Sequence, residues 1–132
     1  MKPMPCLTLL VTLGVCGAQA FAADPLEAIG AQARGESGFS GFSAERGAQL
    51  FERRGTDWSC STCHTSDPRN AGRHKVTGKR IEPMAPAVNP ARLTDPAKVE
   101  KWFKRNCNDV FGRPCTAREK GDVIVYLRSL GR

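Results

Sequence analysis

Cys60-Ser61-Thr62-Cys63-His64 is the stretch that decides how this 132-residue chain is read. Two thiols three residues apart can add to the two vinyl groups of one haem, and the adjacent imidazole then projects to the iron. Covalent attachment prevents loss of the cofactor and lets a small chain wrap a large apolar group. Three other chemistries compete for these residues. A redox-active C-x-x-C pair requires a strand–helix, thioredoxin-like setting, which the flanks lack. A structural zinc needs a fourth ligand at paired spacing. His74 is available for it, but Cys107 and Cys115 do not form a second C-x-x-C. A plain disulfide leaves His64 without a role. The motif therefore predicts a single haem c, with Cys60 and Cys63 as its thioether anchors and His64 as an iron ligand.

Upstream, Ser43 can cap a helix from Ala44 to Arg54 (AERGAQLFERR), with Ala48, Leu50 and Phe51 on its packing face and Gly47 one turn before Phe51. The Gly- and Ser-rich run Gly35 to Ser43 reads as a flexible lead-in. Residues 24–43 are thus expected to be a flexible N-terminal segment and 44–132 the folded domain. Met1 to Ala23 has one cation, Lys2, an apolar run from Cys6 to Cys16, and small residues ahead of Asp24. This is the pattern of a secretory signal peptide, too short to span a bilayer stably. Cleavage is expected after Ala22 or Ala23, and Val15 is a poor residue to precede lipidation at Cys16.

Export removes Cys6 and Cys16 and leaves Cys60, Cys63, Cys107 and Cys115 in an oxidising, periplasmic compartment. Four cysteines there can form two disulfides, but His64 redirects the first pair. With Lys2 gone, 19 Lys and Arg face 13 Asp and Glu, a net of +6. Two ionised haem propionates would lower this to about +4. Such charge suits an acidic redox partner or an anionic surface, and simple solubility accounts for it equally well. An exported chain without a nucleic-acid motif argues against nucleic acid as a partner.

Downstream, Thr65 to Asp95 is dense in Pro, Gly and charge. So long a run without regular structure is unusual inside a compact domain, and a haem would supply the apolar surface it wraps. Asp95 with Pro96 opens a helix (PAKVEKWFKRNC) that sets Val99, Trp102, Phe103, Asn106 and Cys107 on one face. Thr116 and Glu119 form a capping-box pattern. They open a terminal helix through Leu130, with Val123, Ile124, Tyr126, Leu127 and Leu130 as its apolar residues. Strand signals are scarce, so the fold is expected to be all-α. Gly47 and Phe51 on one helix and Tyr126 on the last resemble the packed terminal helices of class I cytochromes c, where Gly permits close approach. The expected architecture is a small fold of that type wrapped around one covalent haem.

The second axial position of the iron separates an electron carrier from a protein that binds gases. Met84 lies in EPMAPA, a Pro-flanked loop of the kind that carries the Met ligand in class I cytochromes, although a Met can also simply fill a gap. His74 follows His64 by ten residues in a cationic run, GRHK, and reads as a solvated surface residue. Asn106 shares an apolar helix face, where an amide is costly to bury without a partner. Its oxygen could meet iron, or its side chain could bond the helix backbone.

The run NPARLTDPAKVEKWFKRNCNDVFGRPCTAREKGD, with CSTCH and TGKRIEPMAP before it, resembles the sphaeroides haem protein family over about Glu45 to Leu130. In that family the residue before the first late cysteine is an axial ligand: Asn in oxygen-binding members, His in the related cytochromes c double-prime. The resemblance implies that role for Asn106 and a disulfide between Cys107 and Cys115. Met84 departs from the family, whose members carry an apolar residue without sulfur at that place. The resemblance further implies electron transfer and binding of oxygen or nitric oxide, not enzymatic turnover. It implies a dihaem cytochrome c and a membrane cytochrome b as redox partners, and the chain itself is expected to be a monomer. An ordinary carrier ligated by Met84, and a haem enzyme acting on an oxygen or nitrogen species, are the alternatives.

Overall fold

The computed structural model describes residues 23–131, so the signal-peptide expectation lies almost wholly outside them. Five helices and one minimal hairpin make up the described chain. α1 (Pro25–Ala33) begins where the Asp24 carboxylate accepts the Leu26 N–H, with Pro25 at the first helical position. This corrects the expectation of a flexible 24–43. Ile29 and Ala33, four residues apart, are buried against Val99, Ala117 and Ile124. The following turn is also tied down. Glu36 accepts the Ala117 N–H at 2.6 Å, Phe42 packs over Gly121, and Asp24 receives both arms of Arg128. The folded domain therefore begins at about Asp24.

α2 (Ala44–Glu52) is capped by Ser43 and buries Gly47, Leu50 and Phe51 on one face. That face meets the terminal helix α5 (Ala117–Ser129), opened by the Thr116–Glu119 capping box. A Cβ on Gly47 would collide with the Asp122 carbonyl oxygen and stand 2.8 Å from Tyr126 Cβ, so only glycine permits this approach. Asp122, 3% exposed, lies in the same seam. Its cost of burial is offset by Arg46, which donates through Nε at 2.8 Å and a terminal nitrogen at 2.9 Å, and by the Ser43 N–H.

Between these helices lie α3 (Cys60–His64), the hairpin β1 (Gly72–Arg73) and β2 (Arg80–Ile81), and α4 (Pro96–Phe111). The strands pair Gly72 with Ile81 and Arg73 with Arg80, a ladder too short to show a period in sequence. α4 starts at the Asp95 cap and ends at Gly112, whose φ of 65° suits glycine. Its buried residues are Val99, Cys107 and Val110, with Phe103 half-buried between them. Trp102 corrects the predicted face: it is 49% exposed, with the Arg105 guanidinium over its ring. At 3.6 residues per turn it sits about 60° around from Val99, at the margin of the stripe. The all-α expectation stands apart from the hairpin. α5 joins two apolar clusters, one with α1 and α4 and one with α2, and Leu93 and Phe103 touch both.

Candidate functional site

α3 is a single turn. Ser59 accepts the Thr62 N–H while the Thr62 hydroxyl accepts the Ser59 N–H, which fixes where the turn starts. It ends at Thr65, whose φ of 63° is unusual for a β-branched residue and whose hydroxyl donates to the Asp67 carbonyl. Gly72 lies behind it, where an added Cβ would collide with the Cys63 carbonyl and stand 3.0 Å from His64 Cα. Phe51 faces the His64 ring at 6.3 Å between centroids and the Tyr126 ring at 5.7 Å.

The cysteines of this turn are not joined to each other, whereas Cys107 and Cys115 are bridged across a separation of 8 residues. The disulfide implied by the resemblance is formed, and the plain-disulfide reading of the C-x-x-C pair has no support. Burial pushes the Cys60 thiol up to about 11, so it stays a thiol at neutral pH. Burial, reinforced by the charges of Arg92 and His74, holds His64 down to about 4. The imidazole is therefore neutral, the form that ligates a metal. Its Nδ1 is buried and has no hydrogen-bond partner among the described residues.

Around Phe51 the apolar cluster is open at its edge. Cys60, Met84, Leu93, Phe103, Phe111, Tyr126 and Leu130 border it, yet none is fully buried. Two free thiols, a neutral imidazole whose Nδ1 has no partner among the described residues, and this half-covered wall fit a covalent haem. Zinc fits less well, because no group of three His, Cys, Asp or Glu side chains among the described residues is placed to hold a metal ion. His74 is engaged elsewhere: its Nδ1 accepts the N–H groups of Val76 and Thr77 in the hairpin turn.

The structure thus brings Cys60, Cys63 and His64 together with Phe51, and sets Met84 and Phe103 on the rim of the same cluster. Asn106 sits one helical turn beyond Phe103 and is half-buried. Its side chain makes no hydrogen bond among the described residues, whereas Asn108 donates to the Lys104 carbonyl at 2.6 Å. The backbone-bonding role considered for Asn106 belongs to its neighbour. Met84 borders the site, but its N–H donates to the carbonyl of Pro68, four residues past His64. Sequence reasoning missed Arg92, which binds the Glu82 and Pro83 carbonyls and bears on His64. Nothing in a chain with 20 Lys and Arg marks that one out.

Comparison with known proteins agrees with this geometry. The family model of a domain of unknown function, DUF1924, matches residues 37–127. Cytochrome c-type protein SHP of Cereibacter sphaeroides is 49% identical over 89 residues, 64% of this chain and 68% of that protein. The solved structure of oxidised SHP, an oxygen-binding cytochrome c, superposes with a TM-score of 0.72 at 41% identity, covering 80% of this chain and 94% of that one. Cytochrome c'' of Methylophilus methylotrophus is 48% identical over 73 residues, 55% of this chain and 51% of its own length. Its oxidised crystal structure matches at a TM-score of 0.70, with 34% identity and coverage of 82% and 96%.

Proposed function

Because this chain belongs to the sphaeroides haem protein family and carries the DUF1924 domain, we propose that it is an exported monohaem c-type cytochrome. It transfers electrons and, when reduced, binds small diatomics at a site that Asn106 guards. One covalent haem c is its cofactor. The observation that carries the reading is the C-x-x-C-H turn with free thiols beside a half-buried, neutral imidazole.

The haem supplies one-electron chemistry and an iron able to take a small ligand. Everything else falls to the chain. Cys60 and Cys63 would hold the haem by adding their S–H groups across its two vinyls, and His64 would supply an imidazole nitrogen to the iron. Asn106 would supply a second ligand through its amide oxygen, a hard, weak donor that suits ferric better than ferrous iron. Such a donor would hold ferrous iron weakly enough for oxygen or nitric oxide to take its place. Its half-burial beside Phe103, with no hydrogen bond to hold it elsewhere, supports that role. The Cys107–Cys115 bridge fixes the adjoining part of α4. Met84 is favoured for packing, since the Pro68 carbonyl holds its backbone N–H and its side chain lies against the Phe51 cluster. Its place on the rim of the cluster also supports a second reading, an ordinary carrier with a thioether ligand.

The family likeness favours a carrier and ligand binder in the bacterial periplasm over an enzyme. A dihaem cytochrome c and a membrane cytochrome b are its redox partners in this reading. Haem should survive acid–acetone extraction and denaturing electrophoresis of the exported protein. Intact haem released by either treatment would contradict the c-type assignment.

A further inference from the structure

The segment Arg69 to Ile81 carries five Lys and Arg and no Asp or Glu. Its outer cations are paired, Arg69 with Asp67 and Arg80 with Glu82. Between them Arg73, Lys75 and Lys79 meet no carboxylate among the described residues, and Arg73 donates instead to the Gly78 carbonyl. Val76, between Lys75 and Lys79, is 78% exposed. The tip is not a loose loop, because His74 accepts two backbone N–H groups across it. It is also fastened to the C-x-x-C-H turn, for Gly72 abuts the Cys63 carbonyl with no room for a Cβ. Thr62, Cys63, Arg73, His74 and Lys75 line a shallow hollow between hairpin and turn.

We propose that the β1–β2 hairpin is the docking surface for an acidic electron-transfer protein, with electrons exchanged beside the C-x-x-C-H turn. The proposal rests on the cytochrome reading above. Like charges crowded on one hairpin repel each other, and a complementary acidic surface relieves that repulsion while steering encounter. An exposed apolar residue set among cations is the arrangement of a contact centre with a polar rim. An anionic bilayer would also attract the charge. However, Val76 is the one large apolar side chain exposed on this hairpin, too little for an interfacial anchor.

Stopped-flow oxidation of the ferrous holoprotein by ferricyanide, with and without polyglutamate as an acidic polypeptide, tests this. Lys75→Glu with Lys79→Glu should slow the reaction about tenfold at low salt and abolish protection by polyglutamate. The difference should close near 1 M salt, where the Debye length is about 3 Å. Arg34→Glu with Lys101→Glu makes the same change in net charge elsewhere and should stay within about twofold, with protection intact. Equal slowing by both pairs would overturn the proposal. So would hairpin-dependent binding to phosphatidylglycerol vesicles with which polyglutamate does not compete. A wild-type protein holding no oxidisable haem would instead sink the cytochrome reading. Shifts of the 72–81 amides on adding polyglutamate would then still decide whether the hairpin binds acidic polypeptide.

Discussion

Replacing Gly47 with alanine would set a new carbon 2.5 Å from the Asp122 carbonyl carbon and 2.8 Å from Tyr126 Cβ. Ordinary carbon contacts are about 3.5–4.0 Å, so α2 and α5 would have to part by about 1 Å. The obstacle is backbone and cannot rotate aside. Separation would stretch the Arg46–Asp122 bonds, now 2.8 and 2.9 Å, around a carboxylate that has left water. It would also loosen Phe51 from Tyr126. Overpacking of this kind costs about 1–3 kcal/mol, and we expect the upper end because a buried carboxylate, Asp122, shares the seam. Alanine regains about 1 kcal/mol of helix propensity, which leaves a net loss of about 2 kcal/mol. For a domain of this size that lowers Tm by about 8–16 °C. Thermal unfolding of the ferric holoprotein, followed by far-UV circular dichroism, measures it. Gly131→Ala, where an added Cβ meets nothing within 4 Å, serves as control. A Gly47→Ala protein as stable as wild type would mean that propensity outweighs contact and that the helices are not close-packed here.

Replacing Cys107 and Cys115 together by serine should cost about 2.5 kcal/mol by the chain-entropy estimate for a loop of 8 residues. An unchanged urea midpoint would argue against that cross-link in solution. Glu119 is held down to about 2, first by its hydrogen bond from Arg113 and then by the Thr116 N–H, against burial that raises it. Its folded value lies below the ordinary 4.5, so its stabilisation is full above that pH and lost as pH falls toward 2. Discounted for solvent, it amounts to about 1 kcal/mol. The advantage of wild type over Glu119→Gln should therefore fade across that window in acid unfolding, and a difference independent of pH would contradict it. Met84→Leu roughly conserves volume and should shift stability by less than about 1.5 kcal/mol. The same variant should leave the spectra of both oxidation states unchanged.

The haem-binding turn, the Thr116 capping box and the Gly47 seam were legible because each is a local pattern with one physical solution. The N-terminal helix was legible in principle, through Asp24-Pro25 and the spacing of Ile29 and Ala33. The glycines and serines that follow masked it. Their conformational freedom is overridden by Glu36 and Phe42, which reach residues about eighty positions away. Trp102 fell on the predicted face because periodicity fixes a direction and not the width of what covers it. The hairpin could not be read, since two-residue strands have no alternation to detect. Asn106 is a different case. Periodicity marked it as polar on an apolar stripe, and only the idle side chain beside a bonded Asn108 separates a ligand's setting from a helix-closing one.

Access to the iron through Asn106 is the central claim, and absorption spectra of ferric and ferrous protein, with and without carbon monoxide, test it most directly. The wild type should be six-coordinate when ferric. When ferrous it should be five-coordinate and high-spin and take up carbon monoxide rapidly. Asn106→Ala should open the ferric state to water and added anions as well. A thioether-to-iron charge-transfer band in the ferric protein, abolished by Met84→Leu and untouched by Asn106→Ala, would contradict the account and return the protein to the ordinary electron carriers.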